Sequence, residues 1–304
     1  KLLMLNIVSI IGCGLIGSSI LRAINKNNLA KEVKIFDLSK EATTYLKKEN
    51  ICSNISTDIR QCVRDAELII IATPLSSYKE IILSIKDDLK KGAILTDTGS
   101  VKKEVIKIIH NINLQEINWI PSHPIAGTEE SGPKAGNADM FKDRWCIISP
   151  PKDSAEKPVK ILKLLWESIG SKVKIMTPEE HDEILSLTSH LPHAIAYNIV
   201  RTVINVEDKL KQEVIQYSAG GLRDFTRIAA SNPLMWRDIF LDNNENISRG
   251  IDDFIEKLQE LKKALNDKNG DKLYQIFNST REVRKEIIKA GQDTNKPDFG
   301  RKKD

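Results

Sequence analysis

A glycine-rich hexapeptide, GCGLIG at Gly12–Gly17, constrains this chain more than any other stretch. It follows Asn6–Ile11, a continuous apolar run with β-branched residues, as a strand buried on both faces would be. A helical pattern over Ser18–Asn27 and a second strand over Glu32–Asp37 come next, so the glycines fall at a strand-to-helix turn. In that setting Gly12 permits the tight turn and Gly14 lets backbone approach a pyrophosphate. Gly17 lets the helix pack closely on the strand, and the helix N-terminus faces the phosphates. Leu15 and Ile16 belong to the same expected cofactor-binding turn. Asp37 stands 20 residues beyond Gly17, where a carboxylate accepts hydrogen bonds from a ribose hydroxyl. Leu38 and Ser39 supply no Arg to offset a 2′-phosphate, which favours NAD over NADP. The competing reading of Asp37 is a turn residue or the cap of the next helix.

The α/β alternation continues: helix Ser39–Asn50, strand Glu67–Thr73, helix Ser77–Leu89, strand Ala93–Asp97, helix Val101–Asn111. Thr73 and Pro74 fall at a carboxyl edge, where open α/β sheets bind ligands. Segment 117–129 starts apolar, passes through Pro121-Ser122-His123-Pro124 and opens into Gly127-Thr128-Glu129. An irregular stretch Gly127–Arg144 follows, then strand Trp145–Ser149, helix Ala155–Ile169 and strand Lys172–Met176. Thr177-Pro178-Glu179-Glu180 is a strong helix start, with a capping hydroxyl, Pro at the first position and carboxylates facing the dipole. From there the pattern is helical: Glu179–Val206, Asp208–Ala219, Leu222–Ala230, Pro233–Asp242, Asn246–Leu265 and Lys272–Ala290, with Gly220-Gly221 as a break. The expected organisation is an α/β Rossmann-type dinucleotide-binding domain, residues 1–176, and an all-α domain, residues 177–304.

Composition narrows the partners. The net charge of +4 is spread over Lys and Glu pairs rather than gathered into a basic face, and aromatic residues make up only 5%, so nucleic acid is not expected. No apolar run approaches the ~18 residues of a membrane helix. The apolar start flows directly into Gly12 with no small-residue cleavage site, so it reads as a strand rather than a signal peptide. Four scattered cysteines without a C-x-x-C pair fit a reducing cytosol, and a cytoplasmic location is expected.

His123, braced by prolines on both sides, is the candidate base at the mouth of the sheet; its alternative is a structural imidazole in a rigid turn. Ser100 in TDTGSVK places a hydroxyl at a strand-to-helix turn, and could equally cap the Val101 helix. His181, His190 and His193 lie on the first long helix. A metal reading is disfavoured because Pro192 disturbs the helix and no zinc-protease spacing is present. One histidine is expected to face the cleft and another to satisfy backbone freed by the proline, while Ser189 and His193 share a face. Arg223 and Arg227, one turn apart, are carboxylate-gripping candidates, or else a surface network with Asp224. These residues describe an NAD-dependent dehydrogenase acting on a small carboxylate-bearing alcohol.

Five motifs in order, GCGLIGSS, TDTGSVK, PSHPIAGTEESG, TSHLPHAIA and GGLRDFTRIAASNPLMWRDI, resemble the prephenate/arogenate dehydrogenase family of tyrosine biosynthesis, from about Asn6 to Ala290. The resemblance implies oxidative decarboxylation: prephenate to 4-hydroxyphenylpyruvate, or arogenate to tyrosine, with NAD as oxidant. It implies that His123 deprotonates the ring hydroxyl and that Ser100 positions that histidine and the nicotinamide. Arg227 matches the carboxylate-binding arginine, His193, Ser189 and Gly220 match substrate-pocket positions, and Glu129, Asp224 and Trp236 match residues that close over the pocket. It further implies a homodimer formed through the helical domain. Neither a chorismate mutase bundle nor an ACT domain is evident in the chain, so feedback at a separate domain is not expected.

Overall fold

The computed structural model describes residues 4–112, 114, 116–128, 130–205, 212–213, 215–218 and 220–290. Two compact units divide at Ile247/Ser248. The first is built on a parallel five-stranded sheet. Its opening elements are β1 (Leu5–Ile11), α1 (Leu15–Lys26), β2 (Ala30–Phe36), α2 (Lys40–Lys48) and α3 (Ile59–Val63). They continue with β3 (Leu68–Ile71), α4 (Tyr78–Ile85), β4 (Ile94–Asp97), α5 (Lys103–Ile112) and β5 (Asn118–Trp119). Strand order is β2-β1-β3-β4-β5. Beyond β2 a single parallel bridge joins Ile35 to Ile55, with Ile35 N–H donating to the Asn54 carbonyl. That bridge stands where a Rossmann sheet carries its outermost strand on this side, and the chain order reverses between β1 and β3. Open α/β sheets bind ligands at this kind of switch point.

The strands are apolar on both faces because both faces are covered. Along β1 and β3, Val8, Ile10, Leu68 and Ile70 join one core with Ile20, Ile24 and Trp166. Their alternate neighbours Ile11, Ile69 and Ile71 join a second core with Tyr78, Ile82 and Val105. Each such burial is worth roughly 1.5–3 kcal/mol, so the sheet is a rigid platform for the loops at its carboxyl edge.

Past β5 the chain leaves this sheet. Ile120 still donates to the Leu95 carbonyl, but Pro121 has no N–H to extend a ladder, and Ser122–Pro124 becomes β6 of a second sheet. β6 pairs antiparallel with β7 (Trp145–Ile148), which pairs in parallel with β8 (Lys172–Ile175) after α6 (Glu156–Ser168). The change of sheet was not read from the sequence, and it ties Ser122, next to His123, to Asp97 at the end of β4 through its N–H and hydroxyl.

The expected helix over Glu179–Val206 runs without interruption from Pro178 to Ile204, but a π segment divides its α-helical parts. α7 (Pro178–Leu185) carries a complete capping box, with Thr177 accepting from Glu180 N–H and the Glu180 carboxylate accepting from Thr177 N–H. A π segment, Ser186–His190, then leads into α8 (Leu191–Ile204). The cause is Pro192, which cannot donate to the preceding turn, and the wider π turn accommodates it. Gly220-Gly221 is not a break but the opening of α9 (Gly220–Thr226), followed by a 3₁₀ turn at Arg227–Ala230. The expected helix over Asp208–Ala219 falls largely outside the described residues. α10 (Pro233–Asp242) has the expected bounds, its start capped by Asn232 accepting from Leu234 and Met235 N–H. Trp236 and Ile239 of α10 enter the second core beside Leu75 and Tyr78.

The first unit ends inside α11 (Asn244–Asn266); the second contains the rest of α11 and α12 (Gly270–Lys289). The second unit exposes apolar side chains, among them Leu258 and Phe277. Among the described residues no helix is long and apolar enough to cross a membrane.

Candidate active site

The dinucleotide half of the site is a turn that tolerates only glycine at two points and leaves a cradle at a third. Gly12 has φ +88°, and a Cβ on Gly17 would lie 1.9 Å from the Gly12 carbonyl oxygen. A Cβ on Gly14 would meet nothing within 4 Å, so it would project into the open groove. That groove, about 520 Å³, runs from Asp37 and Leu38 past Gly14 to Thr73 and Pro74. Both Asp37 oxygens are engaged, Oδ2 by Cys13 N–H at 2.6 Å and Oδ1 by Ser39 N–H at 2.7 Å, and both retain lone pairs for a diol. The cap of α2 is Ser39, not Asp37.

A second cleft of about 370 Å³ shares Gly14, Thr73 and Pro74 with the groove and contains Ser100 and His123. Leu15 and Ile16 also line it. The groove and the cleft therefore adjoin at Gly14, Thr73 and Pro74. Ser100 does not cap a helix, since α5 starts only at Lys103. Its orphan amides are taken by Asp182, whose Oδ1 accepts from Lys102 N–H at 2.8 Å and whose Oδ2 accepts from Lys103 N–H at 2.9 Å. Ser100 is thus left among the cleft-lining residues.

His123 is buried, and its Nδ1 lies 2.8 Å from His181 Nε2. His181 Nδ1 in turn lies 2.7 Å from Asp182 Oδ1. Burial holds the His123 pKa well below the ordinary histidine value, reinforced by His181, Lys102 and His190. Burial also lowers that of His181, against the opposing pull of Asp182. A neutral imidazole is the form a base requires. Beneath it lies an ion pair with no exposed surface: Lys102 Nζ donates to Asp97 Oδ2 at 2.5 Å and to the Ser122 carbonyl at 2.9 Å. Asp97 also accepts from Gly99 N–H at 2.8 Å and Tyr78 O–H at 3.3 Å.

The residues expected to hold substrate form a separate group. His193 stacks on Trp236 with ring centroids 3.6 Å apart, and its Nδ1 lies 2.8 Å from the Ser189 carbonyl, taking up backbone near Pro192. Burial lowers the His193 pKa, against the opposing effect of the bond to the Ser189 carbonyl and with a smaller lowering from the Arg227 charge. Trp236 is itself a core residue, edge-on to His190 and Phe240. Gly220 lies beside Arg223 and Asp224, which pair with each other at 3.1 Å. None of Ser189, His193, Gly220, Arg227 and Trp236 lines the His123 cleft; from this part of the chain Ser231, Asn232, Met235 and Ile239 do. Glu129 lies outside the described residues. Among the described residues no three His, Cys, Asp or Glu side chains converge as a metal site.

Sequence reasoning passed over Lys102 and Asp182, named Asp97 only as a strand end, and named His181 only as one of three histidines on a helix. The available signals were a charged pair within TDTGSVK and an adjacent His-Asp directly after a capping box.

Comparison with known proteins bears on the same residues. The family description "prephenate dehydrogenase, nucleotide-binding domain" matches residues 20–175, and "prephenate dehydrogenase, dimerization domain" matches 177–279. A cyclohexadienyl dehydrogenase of Zymomonas mobilis is 38% identical over 91% of this chain and 94% of its own. A prephenate dehydrogenase of Bacillus subtilis is 30% identical over 90% of this chain and 74% of its own. The crystal structure of prephenate dehydrogenase from Aquifex aeolicus, in complex with hydroxyphenyl propionate and NAD+, superposes with a TM-score of 0.87 at 31% identity, covering 94% of this chain and all of that one. By sequence and by fold, this chain belongs to the prephenate dehydrogenase family.

Proposed function

We propose that this chain catalyses the NAD-dependent oxidative decarboxylation of prephenate to 4-hydroxyphenylpyruvate, or of arogenate to tyrosine. The observation that carries the reading is the placement of His123 and Ser100 in one cleft that opens into the Asp37–Gly14 groove. The Gly14 cradle and the Asp37 carboxylate fit a dinucleotide with free ribose hydroxyls, which is why NAD rather than NADP is assigned. NAD, when bound, accepts the hydride. His123 takes the proton of the ring hydroxyl through Nε2, the nitrogen left over once Nδ1 is committed to His181. The O–H bond breaks as the N–H bond forms; the ring carboxylate leaves as CO2, its bonding pair restores aromaticity, and Nε2–H returns the proton to the phenolate oxygen of the product. Ser100 positions His123 and the nicotinamide. The family resemblance, not the lining of the His123 cleft, assigns Arg227 to the substrate's carboxylate, His193, Ser189 and Gly220 to its pocket, and Trp236 and Glu129 to its closure; those among them that the structure describes stand outside that cleft.

Residues 1–176 are assigned to the cofactor and 177–304 to substrate and dimerisation. Exposed Leu258 and Phe277 support a homodimer, and a cytoplasmic location accords with four free cysteines. The test is NADH production with prephenate, arogenate and a 3-hydroxyacid, run on the wild type and on His123→Asn. Turnover of a cyclohexadienyl substrate is expected, with His123→Asn losing kcat by about 10²–10⁴ while KM is kept. Near-normal turnover by that variant would remove His123 as the base; turnover of the 3-hydroxyacid alone would remove the substrate class.

A further inference from the structure

We propose that His181 and Asp182 are positioning residues that dictate which nitrogen of His123 is the base, with the polarity of the chain set by the N-terminus of α5. This deepens the function proposed above and rests on His123 being the base.

The direction of each proton follows from hydrogen-bond bookkeeping. Asp182 already accepts two backbone N–H groups, from Lys102 and Lys103, and those donors cannot reverse. Its third neighbour, His181 Nδ1 at 2.7 Å, therefore donates to the carboxylate. A neutral His181 then carries no proton on Nε2, so at 2.8 Å that nitrogen accepts from His123 Nδ1–H. A neutral His123 with its proton on Nδ1 has a bare Nε2, the form needed to receive a proton from substrate. Burial, which disfavours a charge on either ring, supports both neutral assignments. An unconstrained imidazole prefers its proton on Nε2, the wrong nitrogen for this chemistry, so the tautomer has to be imposed.

When His123 takes the substrate proton, the hydroxyl O–H bond breaks and Nε2–H forms, while Nδ1–H stays on its hydrogen bond to His181. The positive charge is thereby shared toward the Asp182 carboxylate. The arrangement follows the logic of an Asp-oriented histidine, lengthened by one imidazole. It also ties the base to the turn that carries Ser100, because the amides that orient Asp182 lie two and three residues past that serine.

The experiment combines selective ¹⁵N-histidine NMR with kinetics on the full chain, His123 being assigned by its loss in His123→Asn. In the wild type at pH 8, His123 is expected to show a protonated Nδ1 and a bare Nε2. His181→Leu removes the acceptor; the tautomer is expected to move to Nε2–H, with kcat falling on the order of 10²–10³ and both KM values within about twofold. His181→Gln, whose amide oxygen can accept from Nδ1–H, is expected to regain about tenfold over Leu. The double variant His123→Asn/His181→Leu is expected to be no slower than His123→Asn alone, as for residues acting as a unit. An Nε2–H tautomer in the wild type overturns the proposal without any variant having to fold. A His181→Leu enzyme with normal kcat, beside an inactive His123→Asn, overturns the relay alone. Normal turnover by His123→Asn overturns the base assignment and the relay with it.

Discussion

Replacing Lys102 by Met would test whether the buried ion pair beneath His123 supports both fold and base. Lys102 and Asp97 have no exposed side-chain surface, and their 2.5 Å contact lies behind the Ser122–His123 backbone. Met keeps the length of the side chain but leaves Asp97 with only Gly99, Ser122 and Tyr78 as donors. Removing one member of a buried pair costs about 3–5 kcal/mol, because the remaining charge stays desolvated. For a chain this long, with an unfolding entropy of about 2.1 cal/mol/K per residue, that lowers Tm by roughly 5–8 °C. Adding Asp97→Asn is expected to recover at least half of the loss, since a neutral pair is far less costly to bury. The kinetic counterpart has a definite sign. Lys102 is one of the charges that depress the His123 pKa, so its loss lets that pKa rise and moves the acid limb of kcat/KM to higher pH. Calorimetry and a pH–rate profile measure the two effects. A Tm change below about 1 °C, or an acid limb that stays put or moves down, would refute the reasoning.

Gly17→Ala puts a methyl 1.9 Å from the Gly12 carbonyl and forces α1 off β1. The overpacking cost of about 1–3 kcal/mol exceeds the helix-propensity gain of about 1 kcal/mol. The expected result is a lower Tm and NAD affinity reduced by tenfold or more in a fluorescence titration; unchanged affinity would mean that the turn does not meet the phosphates. Acid stability provides a separate check through His190, whose pKa burial depresses from 6.5 to about 4. The unfolded chain binds the proton more readily, so this contribution is complete above about pH 6.5 and is lost as pH falls toward 4, amounting to about 3 kcal/mol. The stability difference between wild type and His190→Gln should therefore shrink over that range, and a constant difference contradicts the assignment.

The nucleotide half was legible because its signals are local. A buried strand, a glycine turn and an amphipathic helix each occupy a dozen residues or fewer, and Asn232-Pro233 marks the start of α10 as clearly as any cap can. Five-residue α3 went unread, being too short to show a period. The misreadings have long-range causes. α5 begins two residues later than expected because its cap, Asp182, comes from 80 residues away, where no pattern around Ser100 could reveal it. The π turn inside the helix after Thr177 went unread because it keeps the helical spacing of apolar residues nearly intact. His123 was found through its flanking prolines, whereas its partner His181 was seen only as one member of a histidine-rich helix.

The placement of Asp182 makes folding and chemistry hard to separate in this site. Its carboxylate closes the open end of α5, which fixes α7 against the turn carrying Ser100. The same oxygen orients His181 and, through it, the nitrogen of His123 that faces substrate. α7 cannot dock correctly without setting the tautomer, and the tautomer cannot be set by an α7 that has drifted, because one carboxylate performs both tasks. A loss of stability in an Asp182 variant is thus no evidence against a functional role. Only His181, which joins the chain without capping any helix, separates the two effects. That is the physical ground for making His181 the position to vary.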